Sequence, residues 1–307
     1  MNDHNRRNFI KSSALGIGIL GSGSFAALAS DKEKNEKLMQ IEETVINLWP
    51  DGSSNNGPDL SKRPRLILYT PKNTSAKDLA AIVVCPGGGY GMLADHEGAP
   101  FAKLFAEKGM VSAVLIYRVA PNQFPAPYAD AVRAMRIMRS RAKSLGIDPN
   151  RIGIMGFSAG GHLASTVATQ PAMYKDPADD LAATASAQPN RVILGYPVIS
   201  FGEFTHAGSV KNLLGENPDA ELRKKFSSEL HVSKSTPPAF IFHTADDSAV
   251  PVQNALLFAE ACIRQQVEVA LHIYPKGRHG VGMALDIPAL SDWTEVLLKW
   301  LSDWKGV

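Results

Sequence analysis

Arg151-Ile152-Gly153-Ile154-Met155-Gly156-Phe157-Ser158-Ala159-Gly160-Gly161-His162-Leu163-Ala164 decides the fold. A short apolar run, preceded by the turn residues Asp148-Pro149-Asn150, passes through G-x-S-x-G into Ala-rich, helix-compatible sequence: strand, sharp turn, helix. In such a turn a serine projects its hydroxyl above the sheet, while Gly156 and Gly160 let strand and helix approach closely. Ser158 is therefore the candidate nucleophile. A Gly-rich connection without chemistry would read the same way, so the weight of the motif depends on a base, an acid and oxyanion donors standing elsewhere.

Outward from this turn, strand-like runs at residues 44–48, 65–69, 80–85, 111–117, 191–196, 239–243 and 267–274 alternate with helical patterns at 100–108, 128–145, 158–170, 252–265 and 289–304. The rhythm predicts a three-layer α/β/α sandwich around a mostly parallel sheet, with ligands at the carboxyl ends of the strands. Within 128–145, Val132, Met135, Ile137 and Met138 are expected to face inward, and Arg133, Arg136, Arg139 and Arg141 to form a solvated face. Residues 201–236 read as a cap-like insertion over the pocket.

The 307 residues are 45% hydrophobic and 20% charged, which excludes a chain disordered over most of its length. Residues 1–29 stand apart from the fold. Asn5-Arg6-Arg7-Asn8-Phe9-Ile10-Lys11 has the pattern of a twin-arginine signal, and Ala27-Leu28-Ala29 offers small residues for cleavage. The intervening run is too short and too rich in Gly and Ser for a comfortable membrane span, so export to the periplasm or beyond is expected, with no membrane anchor on the mature chain. A polar leader at 30–43 and a single catalytic domain at 44–307 complete the organisation. Removing the signal leaves 29 basic and 29 acidic residues from the 32 and 30 of the full chain. That balance gives no support for nucleic acid or a membrane surface as partner. Cys85 and Cys262 fall in a predicted strand and a predicted helix, where they fill core space, and neither has metal-ligand spacing to a second Cys or to a His.

The carboxyl ends of the predicted strands carry the remaining chemistry. An oxyanion site requires N–H donors, one of them from the residue after the nucleophile, which is Ala159. Pro86-Gly87-Gly88-Gly89-Tyr90-Gly91 follows strand 80–85 and nominates Gly88 and Gly89 as the others; a phosphate loop would need the lysine and hydroxyl that are missing here. Of the eight histidines, His272 is mid-strand and His162 is one helical turn past the serine, where a packing or capping role is expected. His279, in the glycine-flanked Pro275-Lys276-Gly277-Arg278-His279-Gly280 beyond the last strand, is the candidate general base. Its orienting carboxylate is Asp246 or Asp247, both beyond strand 239–243. Tyr90, His96 and Glu97 are candidates to line the pocket.

The chain resembles the α/β-hydrolases of the bacterial acetyl esterase and acetylxylan esterase type from about Leu48 to Trp300. The likeness rests on Leu48-Trp49-Pro50-Asp51-Gly52, Cys85-Pro86-Gly87-Gly88-Gly89-Tyr90, His96-Glu97-Gly98, Tyr117-Arg118-Val119-Ala120-Pro121, the Ser158 elbow and the Asp247 and His279 loops. The lipase-like relatives begin the oxyanion loop with His-Gly-Gly-Gly; here Pro86 stands in place of that His, which points to the secreted carbohydrate-esterase branch. The family's spacing of His, four positions to Asp, then Val-Pro selects Asp247 over Asp246 in His243-Thr244-Ala245-Asp246-Asp247-Ser248-Ala249-Val250-Pro251. Ser158, Asp247 and His279 then follow the α/β-hydrolase order. The resemblance implies hydrolysis of acetyl or other short acyl esters on carbohydrate such as xylan or its oligosaccharides, without metal or organic cofactor. A general short-chain carboxylesterase, a serine exopeptidase-like hydrolase and a non-catalytic binding protein of the same fold remain the alternatives.

Overall fold

The structure, a computed structural model, describes residues 40–304 apart from 58, 60, 61, 73 and 75. The expected signal at 1–29 and residues 30–39 of the expected leader lie outside the described residues. Residues 41–43, expected in the leader, instead open the first strand.

Eight strands, β1 (Ile41–Asn47), β2 (Arg65–Pro71), β3 (Leu79–Cys85), β4 (Val111–Ile116), β5 (Ile147–Phe157), β6 (Val192–Gly195), β7 (Ala239–Thr244) and β8 (Val269–Tyr274), form one sheet in the order β1-β2-β4-β3-β5-β6-β7-β8. Only β2 runs against its neighbours; every other adjacent pair is parallel. Strand β3 is buried at every position, as its unbroken apolar run Leu79-Ala80-Ala81-Ile82-Val83-Val84-Cys85 requires of a strand covered on both faces.

Side-chain alternation along the central strands divides the core between those faces. Ala81, Val83, Ile152, Ile154 and Leu194 pack with α2 (Ala126–Ser140), α4 (Ser158–Thr169) and α8 (Gln253–Arg264). Ile82, Val84, Met155, Phe157 and Ile193 pack with α1 (Ala99–Glu107) and α9 (Trp293–Trp300). The result is the expected three-layer sandwich. The short helices are α3 (Ala142–Leu145), α5 (Leu181–Thr184), α6 (Ala207–Leu214) and α7 (Ala220–Lys225), the last two within residues 201–236. Cys85 and Cys262 are both free and buried.

Three details correct the sequence reading. The helix expected over 128–145 begins at Ala126 and breaks at Arg141, separating α2 from α3. The closing helix spans eight residues, because Pro288 heads a separate 3-10 turn, Pro288–Leu290. Arg133 is not solvated. Its side chain is 3% exposed and donates to the Leu48 carbonyl (2.9 Å) and to the carboxylates of Asp176 (3.1 Å) and Asp180. The polar excursion after α4 thus supplies the acids that neutralise a helix-facing arginine. Arg136 and Arg139 are half-buried, and of the four only Arg141 is exposed. Val132, Met135, Ile137 and Met138 are all buried, as expected.

A second buried charge ties the amino-terminal segment to the sandwich. Asp130, in α2 and fully buried, accepts the Arg118 backbone N–H (2.9 Å), two Arg118 guanidinium donors (2.9 and 2.8 Å) and the Trp49 indole N–H (2.8 Å). Burial raises its pKa, while the hydrogen bonds and charge of Arg118 oppose that rise.

Candidate active site

The site is assembled at the carboxyl ends of β3, β5, β7 and β8. At the end of β5, Ser158 has φ +50°, a left-handed conformation that costs a non-glycine residue on the order of 1–3 kcal/mol. Close packing imposes it: a Cβ on Gly160 would overlap the Cys85 and Pro86 carbonyls, and one on Gly156 the Gly160 carbonyl. Strand, turn and helix therefore meet at main-chain distance, and Ser158 is left 7% exposed.

Ser158, His279 and Asp247 form one hydrogen-bonded line. His279 Nε2 lies 2.8 Å from Ser158 Oγ, and His279 Nδ1 lies 2.6 Å from Asp247 Oδ2. A carboxylate only accepts, so Nδ1 carries the proton and Nε2 presents a lone pair to the serine hydroxyl. Asp247 Oδ1 also accepts the N–H groups of Ala249 and Val250, each at 2.9 Å. Burial pushes the Asp247 pKa up, but hydrogen bonds from His243, His279 and Val250 overcome this and hold the carboxyl well below the usual carboxylate range. Asp246 faces elsewhere: its Oδ1 accepts the Gly277 N–H at 2.7 Å, which draws the loop after β8 towards the loop after β7. His272 lies within β8, its ring stacked on Phe240.

Gly88 and Gly89 follow β3 on a loop held from four directions. Tyr117 donates its hydroxyl to the Pro86 carbonyl (2.6 Å), Ala94 N–H binds the Gly87 carbonyl (3.1 Å), Asn212 Nδ2 binds the Gly89 carbonyl (2.9 Å), and Ala120 N–H binds the Tyr90 carbonyl (2.7 Å). No acceptor among the described residues takes the N–H of Gly88, Gly89 or Ala159. Ala159 stands in the first turn of α4, where the helix dipole adds to the attraction for developing negative charge.

Of the three residues expected to line the pocket, Tyr90 and Glu97 do not. Tyr90 is 1% exposed, with its hydroxyl 2.8 Å from His162 Nδ1, and Glu97 is 2% exposed beneath the oxyanion loop. Both meet polar partners that lie inward rather than towards solvent. His96 is exposed and lines a recess of about 460 Å³ on the outer flank of the His279 loop, with Pro100, Val281, Met283 and Leu285. His162 is buried in α4, stacked on Phe201 with ring centroids 4.2 Å apart, its Nε2 2.7 Å from the Phe226 carbonyl.

One residue over the site had no signal in the sequence. His206 caps α6 by accepting the Ser209 N–H at Nδ1 (3.2 Å), and its ring stands over Gly89, where a Cβ would lie 3.7 Å from Cε1. Burial lowers its pKa, and the nearby His279 lowers it further. It sits in irregular sequence, and only the folding of residues 201–236 brings it here.

The BD-FAE family model matches residues 66–262. The chain is 38% identical over 244 residues to endo-1,4-β-xylanase B of Butyrivibrio fibrisolvens, covering 78% of this chain and 38% of that protein. It is 36% identical over 244 residues to an acetylxylan esterase of Xylanibacter ruminicola, covering 78% of this chain and 46% of that protein. The aligned region is thus less than half the length of either curated relative. Among solved structures, the acetyl ester-xyloside bifunctional hydrolase from Caldicellulosiruptor lactoaceticus is 45% identical with a TM-score of 0.80, over 86% of this chain and 97% of that one.

Proposed function

The chain belongs to the BD-FAE family of α/β-hydrolases, and from that premise we propose that it is a serine carboxylic-ester hydrolase removing acetyl groups from carbohydrate such as xylan or its oligosaccharides. The observation that carries this reading is the unbroken line from Asp247 Oδ2 through His279 to Ser158 Oγ, at 2.6 and 2.8 Å. The choice of an acetylated sugar draws support from the acetylxylan esterase and the acetyl ester-xyloside hydrolase among its relatives.

In this mechanism His279 Nε2 takes the Ser158 proton as Oγ attacks the acetyl carbonyl. Asp247 stays ionised and stabilises the imidazolium. Negative charge on the carbonyl oxygen is received by the N–H groups of Gly88, Gly89 and Ala159. His279 then protonates the departing sugar oxygen, and water activated by the same imidazole releases acetate from Ser158. Export belongs to the same proposal, on the strength of Arg6-Arg7 and the small residues Ala27-Leu28-Ala29; finding the protein only in the cytoplasm of its producing cell would remove that part.

The test is acetate release from acetylated xylan and from acetylated xylo-oligosaccharides by wild type and Ser158→Ala. Ser158-dependent release from either supports the proposal. Turnover of p-nitrophenyl acetate alone would leave a general short-chain carboxylesterase, and no Ser158-dependent turnover of any ester would overturn the reading.

A further inference from the structure

Glu97 closes the 3-10 turn Asp95–Glu97, and its side chain is 3% exposed. Oε2 accepts the Gly87 N–H at 2.7 Å, and Oε1 accepts the Tyr196 hydroxyl at 2.8 Å. Each contact leads to a different catalytic loop. Gly87 immediately precedes Gly88 and Gly89. The Tyr196 hydroxyl oxygen in turn accepts the Gly282 N–H at 3.0 Å, three residues past His279, and the Tyr196 ring meets the His279 imidazole edge-on with centroids 5.1 Å apart.

A buried carboxylate is expensive to keep, and among the described residues no Lys or Arg pairs with this one; the imidazole of His96 stands beside it, Nε2 3.7 Å from Oε1. His96 is itself bonded to the Gly280 carbonyl at 3.0 Å, on the same loop as His279. The packing around Glu97 leaves no slack. A Cβ on Gly87 would lie 2.6 Å from Glu97 Oε2 and 2.9 Å from the Ser158 Cβ, so carboxylate, oxyanion loop and nucleophile are stacked at contact distance. Tyr196 holds a left-handed backbone, φ +35°, to bring its ring under His279. An apolar side chain could fill the volume of Glu97, but it would leave the Gly87 N–H and the Tyr196 hydroxyl without their acceptor.

We propose that Glu97 is a positioning residue that fixes the oxyanion loop and the general-base loop relative to each other, by taking one hydrogen bond directly from the first and one through Tyr196 from the second. It touches no substrate. Its effect is on where the Gly88 and Gly89 N–H groups point and where His279 stands when charge develops, so its loss falls on the transition state rather than on substrate binding. This inference rests on the hydrolase reading of the site given above.

The experiment measures kcat, KM and Tm with p-nitrophenyl acetate for wild type, Glu97→Gln, Tyr196→Phe and the double variant. Glutamine keeps one acceptor and replaces the other with a donor, so Glu97→Gln is expected to lower kcat about 10-fold with KM within about 2-fold of wild type, less than the 10²–10³-fold cost of deleting an oxyanion donor outright. Tyr196→Phe is expected to lose part of the same factor. Because the two act as one chain, the double variant is expected to be about as impaired as Glu97→Gln, far short of the product of the single effects. A Glu97→Gln enzyme with wild-type kcat, a loss confined to KM, or independent effects in the double variant would each overturn the proposal. So would a loss of activity matched by a falling fraction of folded enzyme at the assay temperature. Failure of wild type itself to hydrolyse this ester and the acetylated xylo-oligosaccharides alike would instead overturn the hydrolase reading.

Discussion

The Tyr90 hydroxyl lies 2.8 Å from His162 Nδ1, so the residue that ends the Gly88-Gly89 pair is fastened to the first full turn of the nucleophile's own helix. His162 Nε2–H donates to the Phe226 carbonyl, so Nδ1 is the acceptor for Tyr90. Protonating Nδ1 would break this bond inside the core, and burial pushes the His162 pKa down to about 4.

That shift predicts an acid-sensitive stability. With a folded pKa of about 4 and an unfolded value of about 6.5, the unfolded chain takes up the proton first. The stabilising contribution is complete above pH of about 6.5 and is lost as pH falls towards about 4. Urea unfolding of His162→Gln should show lower stability than wild type at pH 8, by about 1–3 kcal/mol, and a shallower decline between those limits. Parallel pH profiles for the two proteins would contradict this.

Asp246 and Asp247 are neighbours with separate jobs, and substitution should separate them. Asp247→Asn is expected to lower kcat about 10⁴-fold, since an amide facing Nδ1 favours the wrong imidazole tautomer. Asp246→Asn retains a carbonyl that can accept the Gly277 N–H and should cost less than about 10-fold. Steady-state kinetics on p-nitrophenyl acetate decide it; the reverse ranking would reassign the carboxylate.

Ser158, the proposed nucleophile, is also strained. Ser158→Ala and Ser158→Gly should both lower kcat about 10⁴–10⁶-fold. Alanine keeps the φ +50° strain, whereas glycine releases it, so the Gly variant is expected to be more stable than the Ala variant by about 1 kcal/mol in thermal or urea unfolding.

Asp130→Ala would leave the Arg118 guanidinium and the Trp49 indole N–H without their shared acceptor. The expected cost is about 3–5 kcal/mol of folding stability, with kcat/KM of the folded fraction close to wild type. A loss below about 1 kcal/mol in urea unfolding would show that Arg118 finds another partner.

Much of the fold was legible because the central strands carry apolar runs that end in turns, unbroken in β3, although β5 also takes in Asp148-Pro149-Asn150, which read as a turn before it. Ser158 and His279 could be placed from those boundaries alone, while choosing Asp247 needed the family's spacing. What stayed hidden depended on contacts between distant segments. Arg133 looks solvated on a helical wheel, but it is neutralised by Asp176 and Asp180, more than forty residues later. Glu97 and Tyr90 read as pocket-lining candidates, yet a loop residue's sequence does not say which way it points, and both turn inward. His206 reaches Gly89 only because residues 201–236 fold back over the oxyanion loop, a path with no periodic signature.

The spread of the site over four strand ends also orders its birth in time. Emerging from the ribosome, the chain offers Gly88 first, then Ser158, then Asp247, and His279 only after β8 has been made and has paired at the sheet's edge. On the hydrolase reading proposed above, Ser158 has no base until then, and a product truncated before residue 279 is expected to be inert however well its remaining strands were folded. Hydrolytic competence thus waits for the sheet to be complete, with α9 still to follow in the chain.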